Sequence, residues 1–243
     1  MRGERLLIIF VGPQGVGKST HAKILSMKLK SLEDYNPHIS TLVHYTIFHV
    51  SFVKSLFKLC KTNTVTIKFY EDLPPQPSPS PEVYKRLFSL LIFLHFIGYI
   101  ISLAKYKLLK MFYRIIIEHE GFVFKQIADL GFLAAFAKVR HDEFAWTLLR
   151  KFSRLLLSTL TKDRVIIVRL ETNLDTLKKR YSARPHIEPS HYIDFQNRIY
   201  RRIVKTLNTL PNISVINMDT ERVIAETHSE ILNSVLSILR SFR

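Results

Sequence analysis

A glycine-rich segment near the start of the chain has the spacing of a phosphate-binding loop. Residues 12–19 read GPQGVGKS, which fits the pattern G-x-x-x-x-G-K-[ST] at every position. Glycines let the backbone wrap closely around a phosphate with its N–H groups pointing inward. In this pattern Lys18 neutralises the β- and γ-phosphates, and the hydroxyl of Ser19 binds Mg²⁺. The candidate nucleotide-binding residues are Gly12, Gln14, Gly15, Val16, Gly17, Lys18, Ser19 and Thr20.

The segments on either side of the loop support this interpretation. An apolar, β-rich run at Leu6–Val11 precedes it, and a segment with helical spacing at 19–32 follows. This strand–loop–helix context argues against a chance glycine turn, and the helix adds its positive N-terminus to the phosphate site. We therefore predict that the loop binds a nucleoside triphosphate. The motif alone does not separate a kinase from a GTPase or a motor ATPase.

A second group of candidate residues lies at the end of a later apolar run, residues 112–117. Glu118 ends that run, at the position where P-loop enzymes place an acidic group near Mg²⁺, so we predict a catalytic and metal-associated role for it. Glu120 competes for the same role, and an exposed carboxylate at a strand end is the structural alternative. His119 either contacts an acceptor phosphate or has a structural role.

The remaining polar candidates each have a structural alternative. Arg140 could reach an acceptor, but a charge cluster at the start of a helix explains it equally well. By their position after the second strand, His49 and Phe52 could line an acceptor pocket, and core packing is the alternative for Phe52. His95 lies in an apolar helix and is interpreted as a core histidine.

Strands and helices alternate along the chain, which predicts an α/β fold: a three-layer sandwich with a five-stranded parallel sheet. We expect a single domain over residues 1–243, with a proline-rich loop at 71–82. The predicted strands are 6–11, 39–45, 112–117, 164–170 and 213–217. The predicted helices are 19–32, 48–59, 82–109 with a break near Gly98, 122–139, 142–160, 173–181, 192–207 and 221–239.

Composition constrains the partners and the compartment. The chain has 243 residues and a formal net charge of +16, which favours phosphates, nucleic acid or an anionic membrane surface as partners. Its one cysteine, Cys60, excludes an internal disulfide and is consistent with a reducing, cytoplasmic setting. The run Phe88–Ala104 contains no charged residue and has basic residues on both sides. It is interpreted as a buried helix, with membrane contact as the alternative.

Several segments together resemble the thymidylate kinase family of P-loop kinases. LLIIFVGPQGVGKSTHAKIL is similar to the first strand, loop and helix of that family. RVIIVRLETNLDTLKKRYSAR is similar to its late strand, its next helix and the start of its lid, and DFQNRIYRRI to the helix after the lid. SVINMDTERVIAETHSEIL is similar to its closing strand and helix.

The resemblance implies ATP- and Mg²⁺-dependent phosphoryl transfer to a nucleotide-like acceptor, and a homodimer as a possible assembly. It implies a mobile lid at about 180–191, in which Arg180 and Arg184 stabilise the transferring group. Three departures leave the acceptor unassigned. The family often has an acidic residue where this chain has Gln14, and an Asp-Arg pair where this chain has Glu118-His119-Glu120. The third departure is the proline-rich insert with the apolar helix behind it.

Overall fold

The computed structural model describes residues 5–13, 15–32, 35–40, 42, 81–119, 121–136, 138–140, 142–181 and 190–241. Several predictions lie outside these ranges: the helix at 48–59, most of the proline-rich loop, and most of the lid. The candidate residues outside them are Gln14, His49, Phe52, Glu120 and Arg184.

One or two helices separate each pair of consecutive strands among the described elements, in line with the predicted alternation. The strands are β1 (Leu6–Val11), β2 (Pro37–Ser40), β3 (Ile115–Glu118), β4 (Arg164–Glu171) and β5 (Ile213–Asp219). The helices are α1 (Lys18–Lys30), α2 (Pro81–Phe112), α3 (Phe122–Phe136), α4 (Phe144–Leu160), α5 (Leu174–Tyr181), α6 (Ser190–Leu207) and α7 (Ile224–Ser241).

The five strands form one sheet in the order β2-β3-β1-β4-β5, and every neighbouring pair is parallel. The predicted five-stranded parallel sheet is therefore confirmed. β1 lies at the centre, where Leu6 pairs with Ile115 of β3 on one side and with Arg164 of β4 on the other. Because all strands run the same way, their carboxyl ends meet at one edge, where ligands bind in open α/β sheets.

Helices cover both faces of the sheet, because successive strand residues point to opposite sides. In β1, Leu7, Ile9 and Val11 pack into one core with side chains of α2, α3, α4 and α6. Leu6, Ile8 and Phe10 pack into the other core, with side chains of α1, α5 and α7. We refer to these as the α2–α3 side and the α1–α7 side. Burial on both faces explains the apolar runs LLIIFV in β1 and VIIV in β4.

The long apolar helix differs from its prediction at Gly98 and at its first residue. α2 is one uninterrupted helix, so the predicted break near Gly98 is wrong. Gly98 is buried, and Ser102 Oγ donates a hydrogen bond to its carbonyl at 2.9 Å. A glycine costs about 1 kcal/mol in a helix interior, and burial of the flanking apolar residues offsets that cost. The helix also begins at Pro81, inside the segment predicted to be a loop, because proline suits the first turn of a helix.

The strand predicted at 112–117 begins three residues later than expected. α2 continues through Phe112, and Tyr113 N donates to Leu109 O at 2.9 Å, which closes the last helical turn. Phe112 and Tyr113 favour strands by intrinsic propensity, but continuation of the packed helix outweighs that preference.

Candidate nucleotide-binding site

The glycine loop connects β1 to α1 at the carboxyl edge of the sheet. Gly12, Gly15 and Gly17 have φ values of +154°, +80° and +101°, in which L side chains are strained. A Cβ on Gly12 would lie 2.5 Å from the carbonyl oxygen of Leu170 in β4, so only glycine fits there. α1 starts at Lys18 without a side-chain cap, which leaves its first backbone N–H groups to face the loop. This arrangement can hold phosphate oxygens.

Two side chains of the loop make contacts that a nucleotide would have to replace. Lys18 Nζ donates hydrogen bonds to Gly12 O at 2.9 Å and to Pro13 O at 2.8 Å, so the ammonium group folds over its own loop. Ser19 Oγ lies 3.2 Å from His119 Nδ1. The structure therefore places His119 beside the predicted Mg²⁺ ligand, and its predicted contact with an acceptor phosphate stays a prediction.

Glu118 is the last residue of β3 and is fully buried. Its Oε1 accepts a hydrogen bond from Leu42 N at 3.5 Å, which directs the carboxylate to the α2–α3 side of the sheet. In the sheet register it lies opposite Ile9 of β1 and Ser40 of β2. A buried carboxylate next to the strand that leads into the loop has the chemistry of a metal-associated group.

A cavity of about 370 Å³ adjoins the loop on the α1–α7 side. We call it the loop cavity. Arg180, in the last turn of α5, lines it and donates hydrogen bonds to the carbonyl oxygen of Thr220 at 2.5 Å and to its Oγ1 at 3.3 Å. Thr220 itself donates its N–H to Glu171 O at 2.8 Å, which joins the ends of β4 and β5. The lining residues are Gly15, Val16, Gly17, Thr20, His21, Arg180, Thr220, Arg222, Ile224 and Thr227.

Two buried imidazoles lie beside this cavity. His21 of α1 and His228 of α7 stack with ring centroids 6.1 Å apart and an interplanar angle of 12°. Burial, followed by the neighbouring His228 and the Arg180 guanidinium, lowers the pKa of His21 from 6.5 to about 4. Burial and the nearby Lys28 also lower the pKa of His228. At neutral pH the His21 imidazole is therefore neutral.

A second concave surface lies on the other side of the sheet. It measures about 430 Å³ and is lined by Asp194, Asn197, Arg198 and Arg201 of α6, and we call it the arginine groove. Arg201 pairs with Glu171 at 3.3 Å, and Glu171 also pairs with Arg169. Burial and the nearby Arg201 lower the pKa of Arg169 to about 10, so Arg169 stays charged at neutral pH.

The structure brings together most of the predicted residues that it describes. Lys18, Ser19 and Glu118 lie around the same loop, and Arg180 reaches it from α5 through the loop cavity. Arg140 does not join them: it is exposed and pairs with Asp142 at 2.9 Å, which fits the helix-start alternative. His95 is buried in the core, as predicted.

Sequence reasoning missed His21 and the residues after β5. Thr220 carries a usable signal, because it directly follows the last strand and so must lie at the carboxyl edge of a parallel sheet. His21 follows the phosphate loop in α1, but its stacking on His228 brings together residues about 200 positions apart. No pattern in the sequence reports that contact.

No protein-family model matches the sequence, and no curated protein matches it. Solved structures do match over nearly the whole chain. Deoxyadenosine kinase from M. mycoides with bound dCTP is 16% identical, covers 95% of this chain and 99% of its own, and has a TM-score of 0.55. The same enzyme with bound dATP gives 17% identity, 94% and 98% coverage, and a TM-score of 0.53.

Thymidylate kinase from Candida albicans is 18% identical to this chain, with 100% of this chain and 94% of that chain covered and a TM-score of 0.53. At identities this low, the likeness establishes the fold. The resemblance predicted from the sequence is confirmed at that level, and the chain has the P-loop kinase fold that it shares with deoxyadenosine kinase and thymidylate kinase.

Proposed function

We propose that this protein transfers the γ-phosphoryl group of ATP to a nucleotide-like acceptor in a Mg²⁺-dependent reaction. The observation that carries the proposal is the loop cavity, which lies directly beside a glycine loop shaped for phosphate. A nucleotide whose phosphates occupy the loop would place its base and sugar in this cavity. The fold shared with two nucleoside and nucleotide kinases supports the same reaction class.

The donor side is built from the loop and from α1, α5 and α7. Lys18 would leave the carbonyls of Gly12 and Pro13 and pair with phosphate oxygens, exchanging neutral acceptors for charged ones. Arg180 is held by Thr220 at the cavity wall, where its positive charge favours a triphosphate. Arg184 and Gln14 lie outside the described residues, and their roles as lid arginine and loop contact stay predictions.

Two oxygen groups near the loop fit the needs of Mg²⁺, which prefers oxygen ligands and keeps several waters. Ser19 Oγ would become a ligand once it exchanges His119 Nδ1 for the metal. The Glu118 carboxylate would orient metal-bound water from the end of β3. Bound Mg²⁺ supplies charge neutralisation on the phosphate oxygens. The chain positions the reactants, and positioning with preorganised charge accounts for most catalysis of this reaction.

We place the acceptor on the α2–α3 side of the loop, opposite the loop cavity. Glu118 faces that side, and so does the arginine groove, which Arg201 connects to the end of β4 through Glu171. Donor and acceptor would then approach the transferring phosphoryl group from opposite sides, as an in-line transfer requires. Arg198 and Arg201 would attract an acidic acceptor. This arrangement supports a phosphorylated or otherwise anionic acceptor.

The test is ATP consumption with Mg²⁺ across a panel of nucleosides and nucleoside monophosphates. We expect one acceptor to yield its phosphorylated product. In Lys18→Ala we expect turnover to fall by at least about a hundredfold, because loss of a charged contact to the transition state costs several kcal/mol. Lys23→Ala is the matched control, since Lys23 is an exposed lysine of the same helix that does not face the loop.

The alternatives give different results in the same assay. Steady ATP hydrolysis that no acceptor accelerates would favour an ATPase over a kinase. Product formation that Lys18→Ala and Lys23→Ala reduce equally would contradict the assigned role of the loop. Thymidylate belongs in the panel, because the three sequence departures leave it neither chosen nor excluded.

A further inference from the structure

One face of α2 exposes a row of large apolar side chains. They lie between Phe93 and Phe112 at spacings of one, three, four or seven residues, which keep them on one face of a helix with 3.6 residues per turn, in a single stripe about 28 Å long at 1.5 Å of rise per residue. Each is between 40% and 69% exposed. Contiguous apolar surface of this extent marks an interaction site. The residues of this apolar stripe are Phe93, Ile97, Ile100, Ile101, Leu108, Met111 and Phe112.

The opposite face of α2 packs into the protein core. Phe88, Leu91, Ile92, Tyr99 and Tyr106 are buried there, on the α2–α3 side of the sheet. By length and composition, Lys85–Phe112 could cross a membrane. In this fold it packs along α4 and leads directly into β3, inside the sheet. A helix held in this way can lie on a bilayer with its apolar stripe but cannot span it.

Basic residues surround the stripe. Lys105 and Lys107 lie two positions apart on the helix, about 200° around its axis, and so occupy opposite margins of the stripe. The exposed Arg86 lies towards its N-terminal end. Lysines at the margins of an apolar helix face can keep their ammonium groups in the headgroup layer while the stems stay with the acyl chains.

The neighbouring helix α4 extends this basic surface. Tyr99 of α2 contacts Phe152 of α4, with ring centroids 6.0 Å apart, and donates or accepts a hydrogen bond with Thr159 Oγ1 at 2.6 Å. α4 exposes Arg150, Lys151 and Arg154 to solvent.

The net positive charge around the apolar stripe indicates which kind of partner binds it. Residues 83–112 and 144–162 together contain nine Lys and Arg and no Asp or Glu. Glu143 and Asp163, just outside these segments, pair with Lys85 and Lys110. A symmetric contact between two copies would bring these basic segments together, and Glu82, in the first turn of α2, is the one acid on either helix that could balance them. An anionic lipid surface offers hydrocarbon for the stripe and negative headgroups for the basic residues.

We propose that the apolar stripe of α2, with the basic residues beside it and on α4, docks this protein on an anionic membrane surface. The helix lies in the plane of the interface with Phe93 through Phe112 at the boundary between headgroups and acyl chains. The proposal is independent of the phosphoryl-transfer reaction and can be tested without nucleotide.

The test is flotation of the full chain with vesicles of phosphatidylcholine alone and of phosphatidylcholine with about one third phosphatidylserine. We expect binding to the second vesicle only, with affinity that falls as salt is raised. Ile100→Gln combined with Met111→Gln should weaken binding at least about tenfold, because two apolar side chains leave the acyl boundary. Removing Arg150, Lys151 and Arg154 as a triple Gln variant should also weaken it about tenfold or more.

Matched controls make the same chemical changes elsewhere. Met27→Gln alters an exposed methionine of α1, and Arg202→Gln with Lys205→Gln removes exposed charges from α6. Both should bind like the unchanged chain. All altered side chains are exposed, so circular dichroism should report unchanged folding. Equal binding by stripe variants and controls would overturn the proposal, and so would no binding to anionic vesicles.

Two other occupants of the stripe give their own signatures. A stable dimer by analytical ultracentrifugation that Ile100→Gln with Met111→Gln dissociates would show that a second copy covers the stripe. Binding to an acidic polypeptide, with the same variants impaired and vesicles ignored, would identify a protein partner. Either result would overturn the membrane assignment.

Discussion

At the scale of single residues, protonation of the stacked histidines beside the loop cavity destabilises the folded chain at low pH. His21 is 2% exposed, so protonation would place a cation in a buried site next to Arg180. His228, on the neighbouring helix α7, adds to the positive field at His21, and Lys28 acts in the same way on His228. Protonation of His21 is therefore less favourable in the folded chain than in the unfolded chain.

The sign of the pH effect follows from this difference. The pKa of His21 is about 4 in the folded chain and 6.5 in its ordinary range, so only the unfolded chain binds the proton between these values. We expect the free energy of unfolding to decrease as pH falls from about 6.5 to about 4, by about 2–3 kcal/mol from His21. Urea denaturation at several pH values measures it. His21→Gln should flatten this part of the profile, and an unchanged slope would contradict the assignment.

At the scale of elements, long and strongly patterned segments could be predicted from the sequence. β1 is buried on both faces, so its run LLIIFV has no polar interruption, and β4 carries the apolar run VIIV before Arg169. The loop between β1 and α1 carries its own motif. Two features of α2 could not be predicted from local preferences: its continuity through Gly98, which is buried, and its last turn, which the Tyr113 N–H closes on Leu109 O.

The candidate site shows the same limit. Lys18, Ser19 and Glu118 were accessible to sequence reasoning because each lies at the end of a strand or within a motif. The wall of the loop cavity is only partly accessible: the position of Thr220 directly after β5 is a signal, but the stacking of His21 on His228 depends on the packing of α7 against α1. For His119 the sequence leaves an acceptor contact and a structural role both open, and it gives no sign of the contact with Ser19.

The contact of the loop with β4 predicts the effects of two glycine substitutions. A Cβ on Gly12 would collide with Leu170 O at 2.5 Å, so Gly12→Ala must displace the loop from β4. We expect nucleotide affinity to fall at least about tenfold and stability to fall by about 1–3 kcal/mol. A Cβ on Gly131 in α3 would meet Phe195 at an ordinary 3.5 Å.

Gly131→Ala is therefore the matched control. It should leave nucleotide affinity unchanged and raise stability by up to about 1 kcal/mol, because alanine favours a helix interior over glycine. Isothermal titration with ATP and thermal denaturation distinguish the two variants. Equal ATP affinity in both variants would show that the close approach of the loop to β4 does not shape the site.

At the scale of the whole molecule, the central strands of the sheet should be the most resistant to local unfolding. β1 pairs with β4 along its whole length and with β3 from Leu6 to Ile9, whereas β2 contributes four residues at the edge beside β3. Opening of β2 exposes little apolar surface, but opening of β1 disrupts both cores. Resistance to local unfolding should therefore decrease from β1 and β4 outward.

Hydrogen exchange measured by mass spectrometry tests this gradient. We expect the amides of β1 and β4 to exchange more slowly than those of β2 by at least about tenfold, since local openings span energies from near zero to the global value. Uniform protection across the sheet would indicate that all five strands open together. Addition of ATP should further slow exchange in the loop and in the first turn of α1.

The position of β1 also has a consequence during synthesis. Its two neighbours in the sheet, β3 and β4, follow about 110 and 160 residues later in the chain. At a translation rate of about 5–20 residues per second, β4 is synthesised roughly 10–30 s after the run LLIIFV of β1. During that interval its apolar side chains and unpaired backbone groups are accessible to other chains. We therefore expect nascent chains of this protein to bind ribosome-associated chaperones until β4 has emerged from the ribosome.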